Sequence, residues 1–156
     1  MNKSQISKLN KLNDLRVKKQ EKQLKHSKYL YLESCEKVET RSCQINHLKK
    51  EKKGLLKYSK LETTLNSPTK REFVHIKRYW LYYDLEMHEY YLDQEIDERN
   101  TKHSQYERDK KIWYLQMLKK QKLSILHNNV CIEENAILDN SEDDINQENS
   151  IIGNYR

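Results

Sequence analysis

Residues that make turns are scarce in this sequence. Its 156 residues include only Gly54, Gly153 and Pro68. Catalytic α/β folds reverse direction often, and tight turns depend on glycine and proline. Charged residues make up 35% of the chain, so little apolar surface remains for a compact core. This composition leaves either a disordered chain or long helices that pack along a narrow apolar seam.

Motifs for catalysis, metal binding and membrane insertion are also missing. No run of 18 apolar residues occurs, and no apolar segment follows the basic N-terminus as in a signal peptide. The three widely spaced cysteines indicate reduced thiols in the cytosol. Cys43 and His47 stand four residues apart on one helical face, and we attribute this spacing to chance. We therefore expect a soluble protein that is not an enzyme and uses no cofactor, metal or small-molecule substrate.

An apolar repeat of seven residues runs through residues 1–65, which we interpret as a first coiled-coil arm. Such a repeat keeps one stripe turned toward a partner helix. The companion positions Ser27, Ser34 and Arg41 are polar, so this seam is weak and we expect a partner to complete it. The repeat consists of Val17, Leu24, Tyr31, Val38 and Ile45.

The only strong break in the pattern lies at residues 66–69, which we predict to be a turn. Ser67 is a suitable N-cap, and Pro68 fits the first helical position, where its missing N–H costs nothing. A second arm is predicted at residues 70–127. Residues 128–156 hold seven acidic residues and one basic residue, and this composition predicts a disordered acidic tail.

The second arm contains the strongest heptad signal of the chain. Spacing of 3-4-3-4-3 predicts that its apolar residues form the seam against the first arm. The stripe then continues on a rotated face from Leu92, which predicts a stutter, and residues 97–111 are expected to be its loosest part. The predicted seam consists of Phe73, Ile76, Trp80, Tyr83, Met87 and Tyr90.

These patterns together predict an all-α protein, a long antiparallel two-helix coiled-coil hairpin with a disordered acidic C-terminal tail. They leave open whether the chain is a monomeric hairpin or a dimer of long helices. Folding at Pro68 brings the acidic stretch from Asp84 to Glu98 opposite residues 38–52, near Lys49. Such flanking pairs help to set the orientation of the arms.

Two candidate partner-binding surfaces follow from this arrangement. Both arms are basic at the open end of the predicted hairpin, so an acidic partner or the acidic tail is expected there. The basic residues are Lys18, Lys19, Lys22, Arg108, Lys110 and Lys111. The second surface is an aromatic patch beside the predicted seam, because tyrosine is enriched at protein interfaces. Its members are Tyr79, Tyr82 and Tyr91.

Two segments resemble the central-stalk proteins of type III secretion, the SctO/FliJ-like family, and especially its InvI/SpaM branch. The helix start from Ser67 to Phe73 resembles the charged helix start of that branch. About 45 residues later, the segment from Lys110 to Leu115 resembles a Lys-x-Tyr-Trp element that a basic run follows. The chain length and the two equal arms also agree with that family. The first arm resembles the family only in its basic start and its heptad seam.

The resemblance implies a non-catalytic stalk that links a hexameric export ATPase to the cytoplasmic domain of the export gate and promotes assembly of the ATPase. It also implies a cytoplasmic position at the inner membrane, at the base of the secretion apparatus, with secretion chaperones as further partners. Two other functions remain open from the sequence. One is a eukaryotic coiled-coil scaffold subunit; the other is a basic helical nucleic-acid-binding protein, which lacks any recognised binding module here.

Overall fold

The computed structural model describes residues 3–153, with side chains described over residues 3–147. It contains helix α1 (Lys3–Ser59), the short helix α2 (Glu62–Leu65) and helix α3 (Pro68–Gly153), and these residues include no strand. Both long helices are rich in Lys, Glu, Gln and Leu, which favour helix. Gly54 is the only glycine inside α1, and no proline lies inside either helix, so nothing interrupts them.

The chain forms two compact units, each built from a part of α1 and a part of α3. One unit comprises the described residues of 1–24 and 109–156, and we call it the terminal unit. The other comprises Lys25–Arg108, and we call it the turn unit because it contains the connection between the long helices.

In the turn unit, α1 and α3 run antiparallel. Lys49 Nζ lies 3.4 Å from Glu89 Oε1, and Arg41 Nη2 lies 2.8 Å from Glu95 Oε1. Residue numbers therefore fall along α1 as they rise along α3, as the charge pattern predicts. The acidic stretch of α3 lies beside the basic part of α1, and this complementarity helps to fix the orientation of the two helices.

The seven-residue repeat of α1 lies on the face that packs against α3 within each unit. Val17 and Ile45 are buried, and Leu24, Tyr31 and Val38 are half-buried. The polar companion positions lie on the same face: Ser27 and Ser34 are buried and Arg41 is half-buried. The Ser34 hydroxyl donates to Tyr31 O at 2.6 Å, which satisfies a polar group that would otherwise be costly to bury.

The predicted seam of the second arm does not face α1. Five of its six residues are exposed to about half or more, and only Met87 is half-buried. The inward face of α3 is instead a stripe on the other side of the helix, in which Leu81 and Leu85 are buried and the others half-buried. We call it the inner stripe; it consists of Val74, Leu81, Leu85, His88 and Leu92.

The unbroken spacing of the inward residues explains why α3 packs through the inner stripe and not through the predicted seam. From Leu81 onward the inward positions of the turn unit keep alternating spacings of four and three through Leu92, Glu95, Arg99, Lys102 and Tyr106. One unbroken repeat can follow a partner helix without a change of supercoil. The bulky stripe that begins at Phe73 would have required the predicted stutter, and the structure has none at that point.

The connection between the helices is longer than the predicted turn at residues 66–69. Helix α1 ends at Ser59 rather than near residue 65, and α2 occupies part of the reversal. The start of α3 follows the prediction: Lys70 N donates to Ser67 Oγ at 3.5 Å, and Pro68 is the first helical residue.

The end of the second arm also differs from the prediction. Helix α3 does not stop at residue 127 but continues through the acidic segment to Gly153. No proline or glycine interrupts residues 128–152, so no local signal ends the helix. Lys3 Nζ lies 3.6 Å from Glu134 Oε2, which gives the acidic segment a cationic neighbour on α1. Side chains at residues 135–147 are exposed.

Candidate partner-binding surfaces

The apolar stripe that α1 leaves uncovered forms a continuous surface on α3 of the turn unit. Trp80 is 56% exposed, Phe73 55% and Tyr90 58%. Ile76 and Tyr83 are exposed to a similar degree, and Met87 is half-buried. We call these six residues the outer stripe. Contiguous exposed apolar surface of this kind marks an interaction site more often than scattered apolar residues do.

The predicted aromatic patch borders this stripe. Tyr79 is 64% exposed, Tyr82 61% and Tyr91 41%. The Tyr79 ring meets the Trp80 ring edge-on at 5.7 Å between centroids, and Trp80 meets Tyr83 edge-on at 6.3 Å. Edge-to-face contacts of this kind are favourable and restrict the rings. Tyr79, Trp80 and Tyr83 therefore form a continuous set of ring contacts, which joins the predicted patch to the outer stripe.

A polar cluster between the helices supports one edge of the aromatic surface. The Arg41 guanidinium binds the Glu95 carboxylate, with its Nε 3.3 Å from both carboxylate oxygens, and its Nη1 lies 2.9 Å from His88 Nδ1. It also lies 5.4 Å from the centre of the Tyr91 ring. The hydrogen bond to Glu95 raises the pKa of Arg41 above its ordinary value. The guanidinium therefore fixes α1 to α3 and holds Tyr91 by a cation–π contact.

An aromatic layer lies further along the turn unit. The Tyr31 ring is parallel to the Tyr106 ring, with 6.1 Å between centroids, and lies 4.9 Å from the His103 ring. A hydrogen bond to Cys35, and repulsion by the negative charge of its ionised sulfur, raise the pKa of Tyr31. Nearby on α3, a hydrogen bond from Lys102 lowers the pKa of Glu98. Residues 97–111, expected to be loose, thus include partners for α1.

The basic residues of the predicted open end divide between the two units. Lys18, Lys19, Lys22, Lys110 and Lys111 are exposed in the terminal unit. Gln23 Nε2 donates to Asp109 Oδ1 at 3.2 Å, and this hydrogen bond joins the two helices. Lys22 precedes Gln23 and Lys110 follows Asp109 in the sequence, so both lysines are close to this hydrogen bond. The terminal unit therefore presents basic residues of both helices at one level. Arg108 belongs to the turn unit, where its Nε donates to Ser104 O.

The seam of the terminal unit contains little apolar surface. Ile6 and Val17 are its buried apolar residues among those described, and Asn13 and Asp109 are buried beside them. Four polar atoms on this face have no hydrogen-bond partner within the described residues: Asn13 Nδ2, Gln20 Oε1, Trp113 Nε1 and Gln116 Oε1. Unsatisfied buried polar atoms destabilise a helix pair, so the seam of this unit is weak as well; the polar positions that the sequence indicated, Ser27, Ser34 and Arg41, lie in the turn unit.

The part of the chain that the structure describes contains no helix long and apolar enough to cross a lipid bilayer. Across the same residues, no group of three or more His, Cys, Asp or Glu side chains is placed to hold a metal ion.

No protein-family model matches this chain, and neither a curated protein nor a solved structure is similar enough to count as a match.

Sequence reasoning missed two features of these surfaces. The first is that Trp80 and Tyr83 belong to the exposed surface rather than to the seam. The second is the cluster of Arg41, Glu95 and His88. Its signal was present in the sequence, because Arg41 occupies a companion position of the α1 repeat and a charge at such a position needs a partner on the facing helix.

Proposed function

We propose that this chain is a non-catalytic central stalk of a bacterial type III secretion system, which links the hexameric export ATPase to the export gate. The observation that carries the proposal is the pairing of α1 and α3 along weak, polar seams, with basic and aromatic surfaces exposed on the paired helices. The resemblance of residues 67–73 and 110–115 to the central-stalk family supports the same role. We further propose that the paired helices are a coiled coil, which the spacing of their inward residues favours.

The ATPase would be held by the basic residues of the terminal unit. Lys18, Lys19, Lys22, Lys110 and Lys111 together carry positive charge on both helices at one end of α1, and a ring lumen lined with carboxylates would complement it. Binding through exposed charges is sensitive to salt. The polar seam of this unit suits a helix pair that a partner encloses.

This role predicts that the chain stimulates a purified type III export ATPase and promotes its assembly into hexamers. Lys110→Glu with Lys111→Glu should raise the concentration needed for half-maximal stimulation by about 3- to 10-fold, because exposed ion pairs contribute up to about 1 kcal/mol each. ATP hydrolysis and the oligomeric state of the ATPase would be measured side by side.

The matched control for this experiment is Lys50→Glu with Lys53→Glu, which reverses two exposed charges in the turn unit and should leave stimulation unchanged. Absence of both stimulation and co-elution, with the chain shown to be helical, would refute the stalk proposal. Equal losses in both variants would refute the terminal unit as the contact.

We assign the export gate to the aromatic patch. Tyr82→Ala with Tyr79→Ala should weaken binding to the cytoplasmic domain of the gate by about 10-fold or more, because exposed tyrosines are frequent binding hot spots. Helicity should not change, since both side chains lie outside the inner stripe. Tyr29→Ala is the control: Tyr29 is 64% exposed, as Tyr79 is, but lies on α1. Full binding by the double variant would exclude this patch.

A further inference from the structure

The outer stripe has the spacing of a helix–helix seam, yet no helix of the chain packs on it. Phe73, Ile76, Trp80, Tyr83, Met87 and Tyr90 follow each other at intervals of three, four, three, four and three residues. This alternation keeps a stripe aligned with a neighbouring helix over its whole length. Here that length is 18 residues, about 27 Å at 1.5 Å per residue. A seam of this kind calls for a helical occupant.

The stripe is symmetric about its own midpoint, so a second copy of the same stripe can pack on it in the antiparallel direction. In an antiparallel pair of two copies, Phe73 meets Tyr90 of the second copy, Ile76 meets Met87, and Trp80 meets Tyr83. In heptad notation, each layer then joins an a position of one helix to a d position of the other, as antiparallel helix pairs require. Every one of the six layers is filled by large apolar or aromatic side chains, with no layer left unmatched. A two-fold contact uses the same surface on both copies.

The charges beside the stripe favour the antiparallel direction. On its two flanks the first half carries Lys77, and the second half carries Asp84, Glu86 and Asp93. In a parallel pair Asp84 would lie beside Tyr79 of the second copy and would have no basic partner. In the antiparallel pair Lys77 flanks Asp84 of the second copy, and the two-fold axis repeats this pair. Glu72 and Asp93, both exposed, approach with like charge only at the two ends.

We propose that two copies of this chain associate through the outer stripes of their turn units, as an antiparallel helix pair centred between Trp80 and Tyr83. The buried core of the contact is the Trp80–Tyr83 layer, which occurs twice. The Lys77–Asp84 pairs lie at its edge and set its direction. Each turn unit keeps its own pairing of α1 with α3, because the inner stripe takes no part. This inference does not depend on the stalk proposal.

The test begins with the mass of the full-length chain, measured by sedimentation over a wide concentration range. A dimer that dissociates on dilution is expected. Trp80→Ala should raise the dissociation constant at least about 30-fold, the effect of a buried aromatic hot spot. Tyr29→Ala, which removes an exposed tyrosine from α1, should leave it unchanged. A wild-type chain that stays monomeric at every concentration, or a dimer insensitive to Trp80→Ala, would overturn the proposal.

A charge swap tests the direction of the pair and keeps the fold intact. Lys77→Glu and Asp84→Lys should each weaken self-association about 3- to 10-fold, because each variant faces like charge twice. Mixed together, the two variants should form a heterodimer at least as tight as the wild-type dimer, since Glu at 77 then faces Lys at 84 and Lys77 faces Asp84. No recovery in the mixture would rule out the antiparallel register.

These outcomes are separable from those of the stalk experiments. Tyr82 lies beside the outer stripe and not within it, so Tyr82→Ala should affect gate binding and leave self-association intact. A dimer with no effect on the export ATPase would support the self-association and reject the stalk. A monomer that stimulates the ATPase would do the reverse.

Discussion

Leu81→Ala should destabilise the turn unit far more than Trp80→Ala, although tryptophan is the larger side chain and the two residues are adjacent. Leu81 is 5% exposed on the inner stripe, whereas Trp80 is 56% exposed on the outer stripe. Truncating a buried leucine costs about 2–5 kcal/mol; in a two-helix seam we expect about 2–3 kcal/mol. Trp80→Ala should cost less than about 1 kcal/mol, from its edge-on ring contacts.

Urea unfolding followed by circular dichroism would measure both losses. The chain must be dilute enough to be monomeric, since Trp80→Ala is also expected to weaken self-association. Ile76→Ala is a further control, because this aliphatic side chain is 50% exposed and should behave as Trp80 does. If Trp80→Ala proved the more destabilising change, the seam read from the sequence would be right and the inner stripe wrong.

Glu95→Leu should lower the free energy of unfolding by about 2 kcal/mol, because it leaves the Arg41 guanidinium between the helices without its carboxylate. Loss of one partner from a fully buried pair costs 3–5 kcal/mol. These side chains retain 25% and 19% of their exposure, so the effect should be smaller. The double variant Arg41→Leu with Glu95→Leu should recover the wild-type stability or exceed it, since it removes both charges and adds apolar contact.

A double-mutant cycle in urea gives the coupling energy between the two positions. Lys49→Ala with Glu89→Ala provides the comparison. That pair also joins α1 to α3, at 3.4 Å, but its side chains are 55% and 54% exposed, and its coupling should stay below about 0.5 kcal/mol. Equal coupling in the two cycles would mean that the Arg41 cluster has no special role in joining the helices.

Periodicity in the first arm identified the correct face because only one apolar stripe recurs there. Val17 and Ile45 stand among polar residues, so no second stripe competes with theirs. Charge complementarity then indicated the antiparallel direction, and Ser67 with Pro68 marked the start of α3. Each of these features depends on neighbouring residues or has few alternatives, so it could be predicted from the sequence alone.

The second arm carries two stripes, and the sequence signal favoured the wrong one. Trp80 and Tyr83 are larger than Val74, Leu81 and His88, and every position of the outer stripe is apolar or aromatic, so the outer stripe gives the stronger apolar signal. Periodicity shows that a stripe has a partner, but it does not say whether that partner is α1 or another molecule. The exposed surface became visible only when the contacts of the inner stripe were known.

The end of α3 was missed for a different reason. The acidic composition of residues 128–156 indicated disorder. Composition shows that this segment cannot form an apolar core, but it does not show whether the helix that precedes the segment continues through it. Extension of an existing helix needs no new nucleus. Because residues 128–152 contain no proline or glycine, continuation through the acidic segment follows from the helix before it.

The Arg41 cluster makes the turn unit resistant to axial shear. Sliding α3 past α1 by one heptad, about 10.5 Å at 1.5 Å per residue, would bring the heptad positions of the two helices back into alignment. In one direction, however, the slip sets Arg41 opposite Lys102, and in the other it leaves the guanidinium with His88 and removes Glu95 from reach. The cluster therefore favours a single axial register of the two helices. A force applied along one helix is then transmitted to the other, because the helices do not slide past each other.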